Sequence, residues 1–151
     1  MRDLASEENW HQPLVVAALC FVAAFAYRFS QIGGFANDHF MHLAWSNQFL
    51  AGETPISDFV DPGMPFTYLL SALALMLFGP TMLGETLLSV GGLSAAAALT
   101  FLLAAQLSRS VPLGLSLAAL QVVLAPRLYA YPRLLVPVVA LWVFWYYARN
   151  P

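Results

Sequence analysis

The sequence predicts an all-α integral membrane protein, a single membrane domain over 1–151 with about four transmembrane helices and juxtamembrane helices in its first outer loop. Three observations carry that prediction. Hydrophobic residues fill 60% of the 151 positions and charged residues 9%, with no lysine, where a soluble domain would carry roughly a quarter charged. The apolar residues fall in runs close to the length of a bilayer crossing, and no convincing strand pattern interrupts them. Ten prolines and nine glycines are scattered through these runs, as suits membrane helices better than soluble ones. The net charge of −2 is confined to short connections, which leaves no basic face for nucleic acid. Cys20 stands alone in an apolar run, so no intramolecular disulfide forms and the residue reads as a small buried hydrophobe.

Residues 1–12 are polar and acidic, with Trp10 and His11 positioned as an interfacial anchor. Pro13 opens the first apolar run where a helix tolerates proline. Leu14 to Tyr27, extended by Phe29, Ile32 and a snorkelling Arg28, reaches about the 20 residues that a bilayer core requires, and the first span is predicted at 13–32. A cleaved signal peptide is the rival reading, with Ala24 and Ala26 as a small-residue site. Asp3, Glu7 and Glu8 beside Arg2 argue against it, because a signal peptide opens on positive charge.

Residues 37–80 form the predicted outer loop. Gly33-Gly34 ends the first helix, Asn37 or Asp38 caps the next, and His39 to Ala51 reads as a short helix closed by Gly52. His39, His42 and Ser46 share a narrow polar stripe, while Phe40, Met41, Ala44, Trp45 and Phe49 cover the rest, the pattern of an interfacial helix lying on the membrane. Glu53 to Gly63 is a loop broken by Pro55, Pro62 and Gly63. The apolar run Pro65 to Gly79 is roughly 22 Å long as a helix, short for a crossing, and is expected to dip into or lie along the outer leaflet. This loop holds four of the eight acids (Asp38, Glu53, Asp58, Asp61) and two of the three histidines, so titratable chemistry belongs here.

The remaining spans are predicted at 82–107, 112–126 and 134–148. The first of them has a small-residue face at Gly91, Gly92, Ser94 and Ala95 to Ala98 that suits close helix packing and, left uncovered along Gly91, Ser94 and Ala98, invites self-association. Between the other two lies a polar, aromatic hinge with Arg127, Tyr129, Tyr131 and Arg133; Trp142, Trp145, Tyr146 and Tyr147 close the last as an aromatic belt. Four crossings put both termini on one side. The arginines divide three against three (Arg2, Arg109 and Arg149 opposite Arg28, Arg127 and Arg133), so charge alone does not orient the chain.

An apolar span, then Asp38, then a helix leading into FLAGETPISDFVDPGMPFTYLLSALALMLFGP resembles the amino-terminal portion of the GT-C membrane glycosyltransferases of the protein O-mannosyltransferase and lipid A aminoarabinose transferase type. Members show an acidic residue or pair after the first span, then a phrase of the form G-x-x-P-Y-x-D-F-x-x-P-x-P-P-x-x-Y, a short apolar segment ending in Phe-Gly, and a small-residue-rich span. The matching positions are Asp38, Gly52, Pro55, Asp58, Phe59, Asp61, Pro62, Pro65, Tyr68, Phe78 and Gly79.

The resemblance implies transfer of a sugar from a polyprenyl-phosphate carrier to an acceptor hydroxyl on the outer face of the cell membrane, in a bacterium the inner membrane, with membrane lipid and the lipid-linked donor as partners and no cofactor. It implies that Asp38 is the general base, that His39 and Asp61 contribute to substrate binding, and that Arg127 and Arg133 neutralise the departing phosphate. It also implies cytoplasmic termini. Three departures qualify the match. His39 stands where many members have a second acid, Leu134 to Pro137 lacks the acid often found at the start of that span, and members continue through many further spans. The chain is thus expected to be a fragment or truncated product that inserts without turning over alone.

Other chemistries fit less well. Asp38, His39 and His42 could offer ligands, with Asp38 and His42 one turn apart on a helix, but no third ligand joins that pair and no H-E-x-x-H occurs, so no metal site is expected. Gly91-Gly92-Leu93-Ser94 reads as packing rather than a hydrolase elbow. A small non-enzymatic multi-pass protein, or a subunit packed against a larger transporter or synthase, is the alternative to a transferase.

Overall fold

The computed structural model describes residues 11–34, 37–60, 65–124 and 135–149, and over these the chain is all-helical with no strand. The helices are α1 (His11–Ser30), α2 (Asn37–Leu50), α3 (Pro65–Phe78), α4 (Met82–Ser108), α5 (Val111–Leu124) and α6 (Leu135–Arg149). Two of them, α1 and α4, are long and apolar enough to cross a membrane. With 20 and 27 residues they extend about 30 and 40 Å, whereas α5 and α6, with 14 and 15, extend about 21 and 22 Å.

Helix ends follow from local chemistry. At the end of α2 the Glu53 N–H donates to the Gln48 carbonyl (3.0 Å) and the Gly52 N–H to that of Phe49 (3.0 Å), a Schellman cap made possible by the positive φ of Gly52 (88°). Gly79, at φ 78°, ends α3 with a single bond from its N–H to the Leu75 carbonyl (2.9 Å). Proline opens α3 because the first turn leaves N–H groups unused in any case. The Thr81 hydroxyl accepts from the Leu83 N–H (3.3 Å) to start α4, and the Ser110 hydroxyl accepts from Leu113 (3.3 Å) to start α5.

Helix α4 is the axis of the molecule and touches every other helix. Its contacts depend on small residues. A Cβ on Gly84 would lie 2.9 Å from the Cβ of Ala74 on α3, and one on Gly114 of α5 would lie 3.0 Å from the Phe101 carbonyl oxygen and the Ala105 Cβ of α4. Ala17 of α1, Phe101 and Leu102 of α4, and Ala118 of α5 form the core, with Trp145 of α6 packed against it. The small-residue face expected to lie open is covered within the bundle. Ser94 is fully buried with its hydroxyl returned to the Val90 carbonyl (2.6 Å), Ala98 packs on the core, and of the three positions Gly91 alone keeps open space around its Cβ direction.

One expectation about side-chain direction is overturned. Arg28 does not snorkel: it is 5% exposed, and its Nη2 donates to the Val122 carbonyl in the last turn of α5 at 2.9 Å. That carbonyl is one that the helix itself cannot satisfy, and a cation suits the negative end of the helix dipole. On α2 the polar stripe faces the protein and the apolar side faces outward. His39, His42 and Ser46 are buried, and Phe40, Met41, Phe49 and Leu50 face outward.

Candidate functional site

The candidate site builds from the α2–α3 hairpin and the start of α4. The Ser46 hydroxyl lies 2.6 Å from the His42 carbonyl of its own helix and 2.9 Å from the Tyr68 carbonyl of α3; with one proton to give, it serves whichever acceptor its rotor favours. Tyr68 is buried at the centre of an aromatic group, its ring centroid 6.1 Å from that of Phe49 and 5.9 Å, edge-on, from that of Phe59. This cluster fastens α2, α3 and the loop between them, and the spacing lies within the range where aromatic pairs attract. His42 stands edge-on to Trp45 at 5.4 Å.

Where α3 meets α4 the interior is polar again. Ser71, Glu85, Thr86 and Ser89 are all buried. Glu85 is 3% exposed, and its Oε1 has no partner among the described residues. A carboxyl so enclosed is costly unless its surroundings compensate, and in an apolar helix such a group marks a position kept for something other than packing. The signal was present in the sequence as the one acid inside an otherwise apolar span.

The predicted site residues fare differently. The Asp38 backbone forms the second position of α2, and its side chain lies outside the described residues. His39 is held beneath the hairpin, not at its surface. Asp61, Arg127 and Arg133 lie outside the described residues. Asp58 has a structural task, since its Oδ2 accepts from the Thr54 N–H at 2.6 Å while its own N–H donates to the Thr54 carbonyl at 3.0 Å. Among the described residues no three His, Cys, Asp or Glu side chains converge to hold a metal ion.

The ends of the helices show which parts share a side. Arg28 near the end of α1 reaches Val122 near the end of α5. The tight connection at Arg109 and Ser110, where Arg109 adopts φ 54°, turns α5 back along α4, so the start of α4 lies at the end where α5 finishes. Glu85, the point where the chain leaves α1 for Asp38, and the point where it leaves α5 for the hinge are therefore at one end of the bundle. No family model, curated protein or solved structure matches the chain.

Proposed function

We propose that this chain is a membrane glycosyltransferase or an amino-terminal piece of one, with four helices (α1, α4, α5 and α6) crossing the bilayer and the α2–α3 hairpin at its outer face, that moves a sugar from a polyprenyl-phosphate carrier to a hydroxyl. The observation that carries the reading is the gathering at one end of the bundle of the start of α2, whose second residue is Asp38, and the end of α5, which precedes Arg127 in the chain. The ordered phrase from Gly52 to Gly79 supports it. So does the inverted polarity of α2, since a helix with phenylalanine and methionine outward and histidine inward is suited to a surrounding of lipid.

In this reaction the acceptor oxygen bonds to the anomeric carbon as Asp38 takes its proton. The bond from that carbon to the carrier phosphate breaks, its electron pair stays on the phosphate oxygen, and Arg127 and Arg133 balance the charge that develops there. Orientation follows from Arg28. Its guanidinium is committed to Val122, and without it the count becomes Arg2, Arg109 and Arg149 against Arg127 and Arg133, which favours cytoplasmic termini. The test is transfer from polyprenyl-phosphate sugars, in nanodiscs, by the chain in its full-length context. Asp38→Asn should reduce it by at least about a hundredfold, within the usual range for loss of a general base, with insertion unchanged. Undiminished transfer by the variant removes Asp38 from the mechanism.

A non-enzymatic packing subunit is the second reading. The observation favouring it is that Asp58 is occupied in holding a turn, which leaves fewer outer acids for chemistry. A stable stoichiometric partner, together with carrier binding that is absent both from the isolated chain and from the complex, would establish it.

A further inference from the structure

The loop between α2 and α3 is built to present two apolar side chains. Asp58 ties it back to Thr54 by two hydrogen bonds of 2.6 and 3.0 Å, the Ser57 hydroxyl donates to the Thr54 carbonyl at 3.2 Å, and the Ile56 N–H donates to the Phe59 carbonyl at 2.9 Å. Phe59 is buried against Tyr68, which anchors the loop to the hairpin. At the tip Ile56 is held at φ 76°. That conformation belongs to glycine or asparagine, and a β-branched residue there is a true outlier. A turn needing only to connect two helices in water has no use for isoleucine at this position, yet Ile56 is 84% exposed and Val60, just beyond the Phe59 anchor, is 79% exposed.

The flanking helices indicate what meets them. Beside the loop, α2 turns Phe49 and Leu50 outward, and α3 turns Leu69 and Leu73 outward. The loop thus continues an outer surface that is already apolar on both sides. We propose that Ile56 and Val60 form a knuckle seated in the bilayer, at the boundary between head groups and acyl chains. This rests on the membrane reading above. The depth is limited by Ser57 and Asp58, which are exposed beside Ile56 and belong among head groups, and by half-buried Glu53 at the base of the loop. Two apolar side chains at that depth give shallow, reversible seating. Held there, the loop keeps the hairpin against the leaflet in which a lipid-linked donor's head group lies.

The experiment uses site-directed spin labels on the full chain in phosphatidylcholine nanodiscs, in a Cys20→Ser background. Ile56→Cys, Val60→Cys, Ser57→Cys and Leu117→Cys are labelled singly, and collisions with oxygen are compared with collisions with a water-soluble nickel chelate. Leu117, exposed on α5, reports whether the bundle is in lipid, and Val60 tests the knuckle at a position without the positive φ of Ile56. Expected is a lipid-like ratio at Leu117 and an oxygen-to-nickel ratio at Ile56 and Val60 several-fold above that at Ser57. A ratio at Ile56 and Val60 equal to that at Ser57, with Leu117 lipid-like, would overturn the knuckle alone, as would labels there shielded from both probes by protein. A water-like Leu117 would overturn the membrane reading and the knuckle with it.

Discussion

The contact between Gly84 and Ala74 makes the sharpest test of how the hairpin is fastened to the bundle. A methyl group on Gly84 would sit 2.9 Å from the Ala74 Cβ and 3.3 Å from both the carbonyl carbon and oxygen of the same residue. Carbon atoms prefer about 3.5–4.0 Å, so Gly84→Ala requires α3 and α4 to separate by roughly 0.6–1 Å. Ala74 is part of a helix backbone and has no rotamer by which to yield. Overpacking of this kind costs about 1–3 kcal/mol. Better helix propensity returns about 0.5–1 kcal/mol of that. The expected net loss is therefore on the order of 0.5–2 kcal/mol, read as the midpoint of unfolding by sodium dodecyl sulfate in mixed micelles. Ala74→Gly removes the nearest atom, and the double variant should recover at least half of the loss, a coupling that adjacent sites show and distant ones do not. Gly91→Ala is the control: nothing lies within 4 Å of the added methyl, and stability should hold or rise by up to about 1 kcal/mol. An unaffected Gly84→Ala, or an Ala74→Gly change that restores nothing, would refute this account of the contact.

The remaining predictions concern charge, loop and topology. Arg28→Met should destabilise the bundle by about 1.5–3 kcal/mol in the same assay, because the Val122 carbonyl loses a charged donor, and Arg28→Lys should fall between it and the parent chain. Asp58→Ala frees the Thr54 N–H, so proteolysis within 53–60 should quicken several-fold while the midpoint of unfolding barely moves. Single cysteines at Ser6 and Asn150, in a cysteine-free background, should both resist an impermeant maleimide added from outside; labelling of only one would mean that an odd number of segments crosses.

Much of the element plan was legible in the sequence because helix ends are local. Proline at 65, glycine at 52 and 79, and threonine at 81 act through φ, a missing N–H or a nearby hydroxyl, and each closes or opens a helix within a residue or two of its expected place. The first helix ends at Ser30, short of Gly33-Gly34, as hydrogen bonds from Gln31 to the Arg28 carbonyl and from Ile32 to that of Phe29 tighten its last turn. The candidate site was legible as a stretch but not as a structure. Asp38 could be placed at a helix start from its neighbours, whereas the burial of His39 and His42 depended on α3 covering them.

The sequence by itself determined that the chain is helical and apolar, where most of its helices begin and end to within a few residues, and which short stretch collects the acids, since each rests on residues within a few positions of one another. Tertiary structure decided direction. The same polar stripe could face water or a neighbouring helix, and the bond from Ser46 to the Tyr68 carbonyl, 22 positions away, turns it inward. The same arginine could reach for the membrane surface or for protein, and the unsatisfied Val122 carbonyl, 94 positions away, captures it. The small residues of α4 could be an open face or a closed one; Ser94, Ala96 and Ala97 are covered by the packed helices, whereas Gly91 keeps open space around it. Periodicity places side chains on a common face; only the partner across the contact decides whether that face is in or out.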